Sequence, residues 1–214
     1  MNDFDLKLAN IFKSINQQNE KLANESIQEE KVENTTDTSE KNSYKGFIPQ
    51  IKRKSVRFNM QNYAFEVHSF FEEKIKLSLH KNNFKALSDD INTDEQVVLY
   101  NNQGAFFHIN LFKKPLLYKS LTFFKLKLLQ HYEKINVPIS WLKLNKTENL
   151  RYGIYKIALR DKSYCMIHFS GKITDKESFG GSFIFPDGFR EQWQDVYEAS
   201  LHLLEINKNE ELVR

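Results

Sequence analysis

Residues 54–69 read KSVRFNMQNYAFEVHS, and their alternation decides the fold class. Val56, Phe58 and Met60 fall on one side, with Ser55, Arg57 and Asn59 on the other. After Gln61-Asn62 the period of two resumes with Tyr63, Phe65, Val67 and Ser69. Successive side chains of a strand point to opposite faces, so this text predicts two half-buried strands joined as a hairpin, with Gln61-Asn62 as the turn.

The same period recurs downstream. Ile75, Leu77 and Leu79 predict another strand, and Phe84 with Leu87 a short one before the polar turn region 88–95 (SDDINTDE). Val97 to Tyr100 and Ala105 to Asn110 flank Asn101-Asn102-Gln103-Gly104, a hairpin with turn-forming residues at its tip. Ile139 to Leu144, Tyr152 to Leu159, Ser163 to Phe169 and a short Phe183 to Phe185 complete the strands.

Two stretches change period. Leu117, Leu121, Phe124, Leu128 and Tyr132 recur at helical spacing and predict a helix over about 116–133, entered at Pro115. After Pro186-Asp187-Gly188, the residues Phe189, Trp193, Val196, Tyr197, Ser200, Leu201 and Leu204 predict a terminal helix over about 188–206. Strands following strands exclude repeated βαβ units. The expected class is α+β, a largely antiparallel sheet packed by these two helices. One large curved sheet holding both helices in its concave face satisfies every buried stripe, and a partly closed β-barrel with flanking helices is the alternative.

The beginning of the chain is different. Of eighteen phenylalanines only Phe4 and Phe12 lie in the first 45 residues, which are otherwise rich in Asn, Gln, Glu, Ser, Thr and Lys. Such a composition buries too little apolar surface to offset the entropy of ordering. Two regions follow: 1–45, and a single α+β domain at 46–214. Within the first, Phe4, Leu8, Ile11, Phe12 and Ile15 form one stripe of an amphipathic helix over about 3–15, and 28–45 (QEEKVENTTDTSEKNSYK) reads as a disordered linker. Isolated helices of this length are marginal in water, so the stripe needs a cover: the chain's own body, a protein partner or a second copy.

Formal charge is +3, divided as −3 over residues 1–45 and +6 over the rest. That excess is too modest to announce nucleic acid, and the cations are 25 lysines to 6 arginines, whereas bidentate phosphate recognition favours arginine. Cys165 is the only cysteine, so no intramolecular disulfide forms. Acidic Asp3 and Asp5 stand where a secretory leader carries basic residues, and no apolar run is long enough to span a bilayer, so a cytoplasmic, intracellular protein is expected.

No motif assigns a catalytic residue, a metal or a cofactor. Four of the seven glycines lie in 171–188 (GKITDKESFGGSFIFPDG), but the phosphate-loop pattern is absent. A sheet-edge turn or bulge is expected there, with a ligand cleft as the enzymatic alternative. Cys165 and His168 lie three apart in a strand and point to opposite faces, which removes them as a chelating pair, and Cys165 reads as a small core residue. His108 could couple only to a remote acid, Asp161 or Asp187. The densest basic cluster is Lys52, Arg53, Lys54 and Arg57, interleaved with Phe58, Tyr63 and Phe65 as in surfaces that bind phosphates and stack bases. That interleaving supports nucleic-acid binding only if the aromatics share a face with Arg57. The leading functional expectation is a non-enzymatic interaction protein or accessory subunit that uses the Phe4-Ile15 stripe toward a protein partner or a second copy; a nucleic-acid-binding accessory protein is the alternative.

Overall fold

A computed structural model describes residues 43–58, 60–81, 84–86, 92–101, 104–115, 120–134, 137–159 and 162–207. The stripe Phe4, Leu8, Ile11, Phe12 and Ile15 lies outside the described residues.

The opening hairpin forms as expected, with a different turn. β1 (Ser55–Phe58) pairs antiparallel with β2 (Gln61–Phe70) in the register Val56↔Tyr63 and Phe58↔Gln61. Two residues therefore connect the strands, and Gln61-Asn62 belongs to β2. Met60 sits in the connection at φ 62°, 91% exposed, where its sequence position suggested an inward strand residue. A two-residue hairpin needs positive φ to match strand twist, and this requirement overrides the apolar alternation. β3 (Ile75–His80) pairs with β2, and β11 (Glu205–Ile206) pairs with β3, giving a four-stranded sheet β1-β2-β3-β11.

The remaining described strands form a second sheet of seven in the order β4-β5-β6-β10-β9-β8-β7, with each neighbouring pair antiparallel. They are β4 (Lys85–Ala86), β5 (Gln96–Tyr100), β6 (Phe106–Phe112), β7 (Ile139–Lys146), β8 (Leu150–Leu159), β9 (Lys162–Lys172) and β10 (Ser178–Pro186). The expectation of one large curved sheet is thus corrected to two, while the α+β class and the antiparallel pairing hold.

The expected short strand at 183–185 is the nine-residue β10, paired on both sides and buried along eight of its nine positions. Gly180 and Gly181 lie inside it, so this pair forms no turn or bulge, and the turn of the 171–188 segment falls between Lys172 and Ser178. Gly181 is required by packing: a Cβ there would lie 2.3 Å from the His108 carbonyl oxygen and 2.7 Å from the Phe169 ring. Gly181→Ala is expected to cost about 2–3 kcal/mol, read as a lowered urea midpoint, because a backbone oxygen cannot step aside as a side chain can.

Register assigns the two faces of the large sheet. Phe107, Phe183, Ile167 and Ile154 share one face, and His108, Ser182, His168 and Gly153 the other. On the first lies α3 (Arg190–His202), whose Tyr197 ring stacks on Phe183 at 4.4 Å and 6° and whose Trp193 and Val196 are buried with it. On the second lies α2 (Leu121–Lys134), which buries Phe124, Leu128 and Tyr132 and carries the chain across the sheet from β6 to the far edge at β7. Gly153 leaves room for the Trp141 ring beneath it. The two helices thus pack on opposite faces, which corrects their placement in one concave face. Both stripes are genuine, and the sheet offers an apolar face on each side.

Two short elements escaped the periodicity. A 3₁₀ turn (Ser43–Gly46) and α1 (Ile48–Lys52) precede β1, and α1 is too short to show a helical repeat. Its Ile51 is buried, and its Gln50 side chain accepts the Arg57 backbone N–H at 2.9 Å, covering a donor on the free edge of β1.

Candidate functional site

The basic cluster is divided by the fold. α1 ends at Lys52, Arg53 caps it, and Lys54 turns the chain into β1 at φ 61°, a left-handed conformation that costs a non-glycine residue about 1 kcal/mol. The Lys54 backbone is pinned in that state. Its N–H donates to the Ile51 carbonyl at 2.8 Å, and its carbonyl accepts the Phe65 N–H at 2.9 Å. Lys52 and Lys54 line a groove of about 200 Å³ together with Ile51, Phe65, Val67, Leu77 and Leu203. Lys76 and Ser78 from β3 join them, with Glu66 and Glu205 as the acidic members.

These charges are unequally satisfied. Lys76 pairs with Glu73 at 3.6 Å, and Glu66 is shared between His68 at 3.3 Å and Lys81 at 4.0 Å. Among the described residues Lys52 and Lys54 have no carboxylate partner. Val67 stands in the same lining and is 55% exposed. The site is a small groove with Val67 as its exposed apolar residue and, among the described residues, two lysines and Glu205 without ion pairs.

Arg57 is not part of it. Val56, Phe58, Tyr63 and Phe65 occupy the face of the hairpin opposite Arg57, as the pairs Val56↔Tyr63 and Arg57↔Asn62 require. Val56 and Phe65 are buried, Phe58 packs near Phe47 at 6.4 Å, and Tyr63 meets Trp193 edge-on at 5.1 Å. Cations and aromatics do not meet on one surface here, so the combination that motivated base stacking is not assembled by this segment.

A second polar centre has no counterpart in the sequence reading. Glu198 of α3 is fully buried, and one carboxylate oxygen accepts both the Lys143 ammonium at 2.5 Å and the Tyr152 hydroxyl at 2.6 Å. Asn145 donates to the same hydroxyl at 3.0 Å, and the His202 ring nitrogen lies 3.0 Å from it. Burial, and then the neighbouring Glu198, push the Tyr152 hydroxyl far above its ordinary pKa, while burial lowers that of His202. Tyr44 closes the cluster, stacked on His202 at 4.5 Å and covered by the Lys143 ammonium at 4.7 Å. Glu198 Oε1 ties Lys143 and Tyr152 together while Oε2 is buried without a partner among the described residues, and we read the centre as an internal clamp between α3 and the strands that carry Lys143 and Tyr152.

The remaining candidates resolve as core. Cys165 is fully buried, and burial pushes its thiol up to about 12, so it is no nucleophile. The coupling of His108 to Asp187 is corrected, and Asp161 lies outside the described residues: Asp187 pairs with Lys156 at 2.8 Å and lies 3.8 Å from Arg190, while both His108 ring nitrogens are buried without a partner among the described residues. His108, Ser182 and His168 form a row across three strands, with a 2.8 Å hydrogen bond between Ser182 and the His168 ring. No group of three or more metal-ligating side chains converges among the described residues. No described helix is long and apolar enough to cross a membrane.

No protein-family model and no curated protein matches the sequence. The fold has counterparts among solved structures. The Ran-binding protein Mog1p of Saccharomyces cerevisiae superposes with a TM-score of 0.51 at 10% identity, covering 67% of this chain and 96% of that one. Cyanobacterial PsbP (CyanoP) of Synechocystis sp. PCC 6803 superposes at 0.52 with 5% identity, covering 71% and 98%. At such identities the likeness concerns architecture: an antiparallel sheet with helices against it.

Proposed function

We propose that this protein is a non-enzymatic interaction domain, an intracellular accessory subunit that seats a protein partner in the basic groove. The observation that carries the reading is the pair of unmatched ammonium groups, Lys52 and Lys54, set around an apolar lining with an exposed Val67. An exposed apolar residue among uncompensated charges is what a surface awaiting a complementary one presents. The architecture is compatible with this use, since Mog1p is a Ran-binding protein. The stripe Phe4, Leu8, Ile11, Phe12 and Ile15 is proposed as a second contact, toward the partner or another copy.

Affinity capture with the full chain, followed by binding measurements on the purified partner, tests both contacts. Lys52→Glu with Lys54→Glu is expected to weaken partner binding at least tenfold, and Phe4→Asp with Phe12→Asp to weaken it or abolish self-association seen by light scattering. Unchanged binding and mass in both variants would remove the reading. The second reading, nucleic-acid binding through Lys52, Arg53, Lys54 and Arg57, draws on the absence of ion pairs at these four among the described residues. It expects oligonucleotide binding that falls steeply with salt.

A further inference from the structure

We infer that the groove's occupant is an acidic segment of a partner protein carrying one bulky apolar anchor. This rests on the reading of the groove as the binding surface and goes on to specify what fills it.

Size sets the anchor. A lining volume of about 200 Å³ falls below the roughly 300 Å³ at which pockets for drug-sized molecules begin, and suits one aromatic or large aliphatic side chain. Val67 and Leu203 are placed to meet such a side chain.

Charge sets the flanks. Of the five ionic groups in the lining, Lys76 and Glu66 are committed to neighbours, whereas Lys52, Lys54 and Glu205 have no ion pair among the described residues, which leaves the uncommitted charge net positive. Two ammonium groups against one carboxylate therefore line the space an occupant would enter. Lysines are point charges on flexible stems, which accept carboxylates from many directions; the planar, bidentate geometry that favours phosphate belongs to arginine, and no arginine lines the groove. A nucleic acid would also need an open ring to stack upon, and Phe65, the aromatic of the lining, is only 2% exposed.

The test selects a displayed library of random 12-residue peptides on the full-length protein. Clones are expected to carry Asp or Glu beside a single Phe, Trp, Leu or Ile, and the Lys52→Glu, Lys54→Glu variant to lose them at least tenfold, with its thermal melt unchanged. Replacing the acids of a selected clone with Asn or Gln should weaken it at least as much. Apolar clones without acidic enrichment, lost on Val67→Asp but not on charge reversal, would overturn the acidic partner and leave the groove standing. Clones indifferent to all these substitutions would overturn both readings. A single-stranded oligonucleotide that binds the full chain and competes with the clones would overturn the assignment to an acidic peptide in favour of nucleic acid.

Discussion

Glu198→Ala is expected to destabilise the protein by about 3 kcal/mol, the low end of the cost of breaking a buried ion pair, because the Lys143 left behind is 34% exposed. The carboxylate is fully buried and holds Lys143 and Tyr152 on one oxygen. Its loss leaves an ammonium facing a cavity and a buried hydroxyl short of an acceptor. For a domain of this size, a loss of about 3 kcal/mol lowers the melting temperature by about 6–12 °C. The double variant Glu198→Leu, Lys143→Met removes both charges and is expected to recover most of that loss, since well-packed apolar replacements of buried pairs are often neutral. A double variant as unstable as Glu198→Ala would show that the clamp acts through shape and hydrogen bonding and not through uncompensated charge.

The second large effect is loss of stability in mild acid. Burial lowers His108 to about 4 and His168 to about 3, the latter with smaller contributions from His108 and His131. His168 also stacks on Phe124 of α2 at 5.7 Å, and no carboxylate contributes to holding either imidazole charged. In the unfolded chain these imidazoles titrate near 6.5. Between pH 6.5 and about 4 the unfolded state therefore binds more protons than the folded one, and stability falls as pH falls. For His108 alone the full loss is about 3 kcal/mol, reached near pH 4, and His168 adds in the same direction. Urea midpoints measured from pH 7.5 to 4.5 should drop steadily. His108→Leu, which removes a titrating ring that makes no hydrogen bond among the described residues, should flatten that slope by about one proton. An unchanged slope would mean that His108 is solvated or paired in solution.

Much of the fold was legible because half-buried strands announce themselves. Residues 54–70 alternate, and 97–110 set two apolar runs on either side of a turn sequence; both became antiparallel hairpins. β10 did not announce itself, for a physical reason: helices cover both faces of the sheet, so its residues are buried on either side and no alternation is written. Gly180 and Gly181 look like a turn for want of any signal that a neighbouring carbonyl will press against them. α1 and β11 are too short for any period. Of the candidate groove, Lys52 and Lys54 stood out as a basic cluster, but Lys76 and Leu203 reach it through sheet pairing and the return of the chain from α3. Glu198 left no trace, because a glutamate in a helix reads as solvent-facing until strand residues such as Lys143 and Tyr152 are brought against it.

The strand order also has a kinetic consequence. β4, β5 and β6 form one local meander and β7, β8, β9 and β10 another, and the ladder of β6 with β10 joins Phe106 to Ile184 and Phe112 to Ser178 across the whole of α2 and the second meander. Short loops close early and long ones late, so the two wings assemble first and the seam between them closes last. The expected rate-limiting step of folding is therefore a docking event between two half-sheets, with Gly181 opposite Ile109 and close against the His108 carbonyl on the seam.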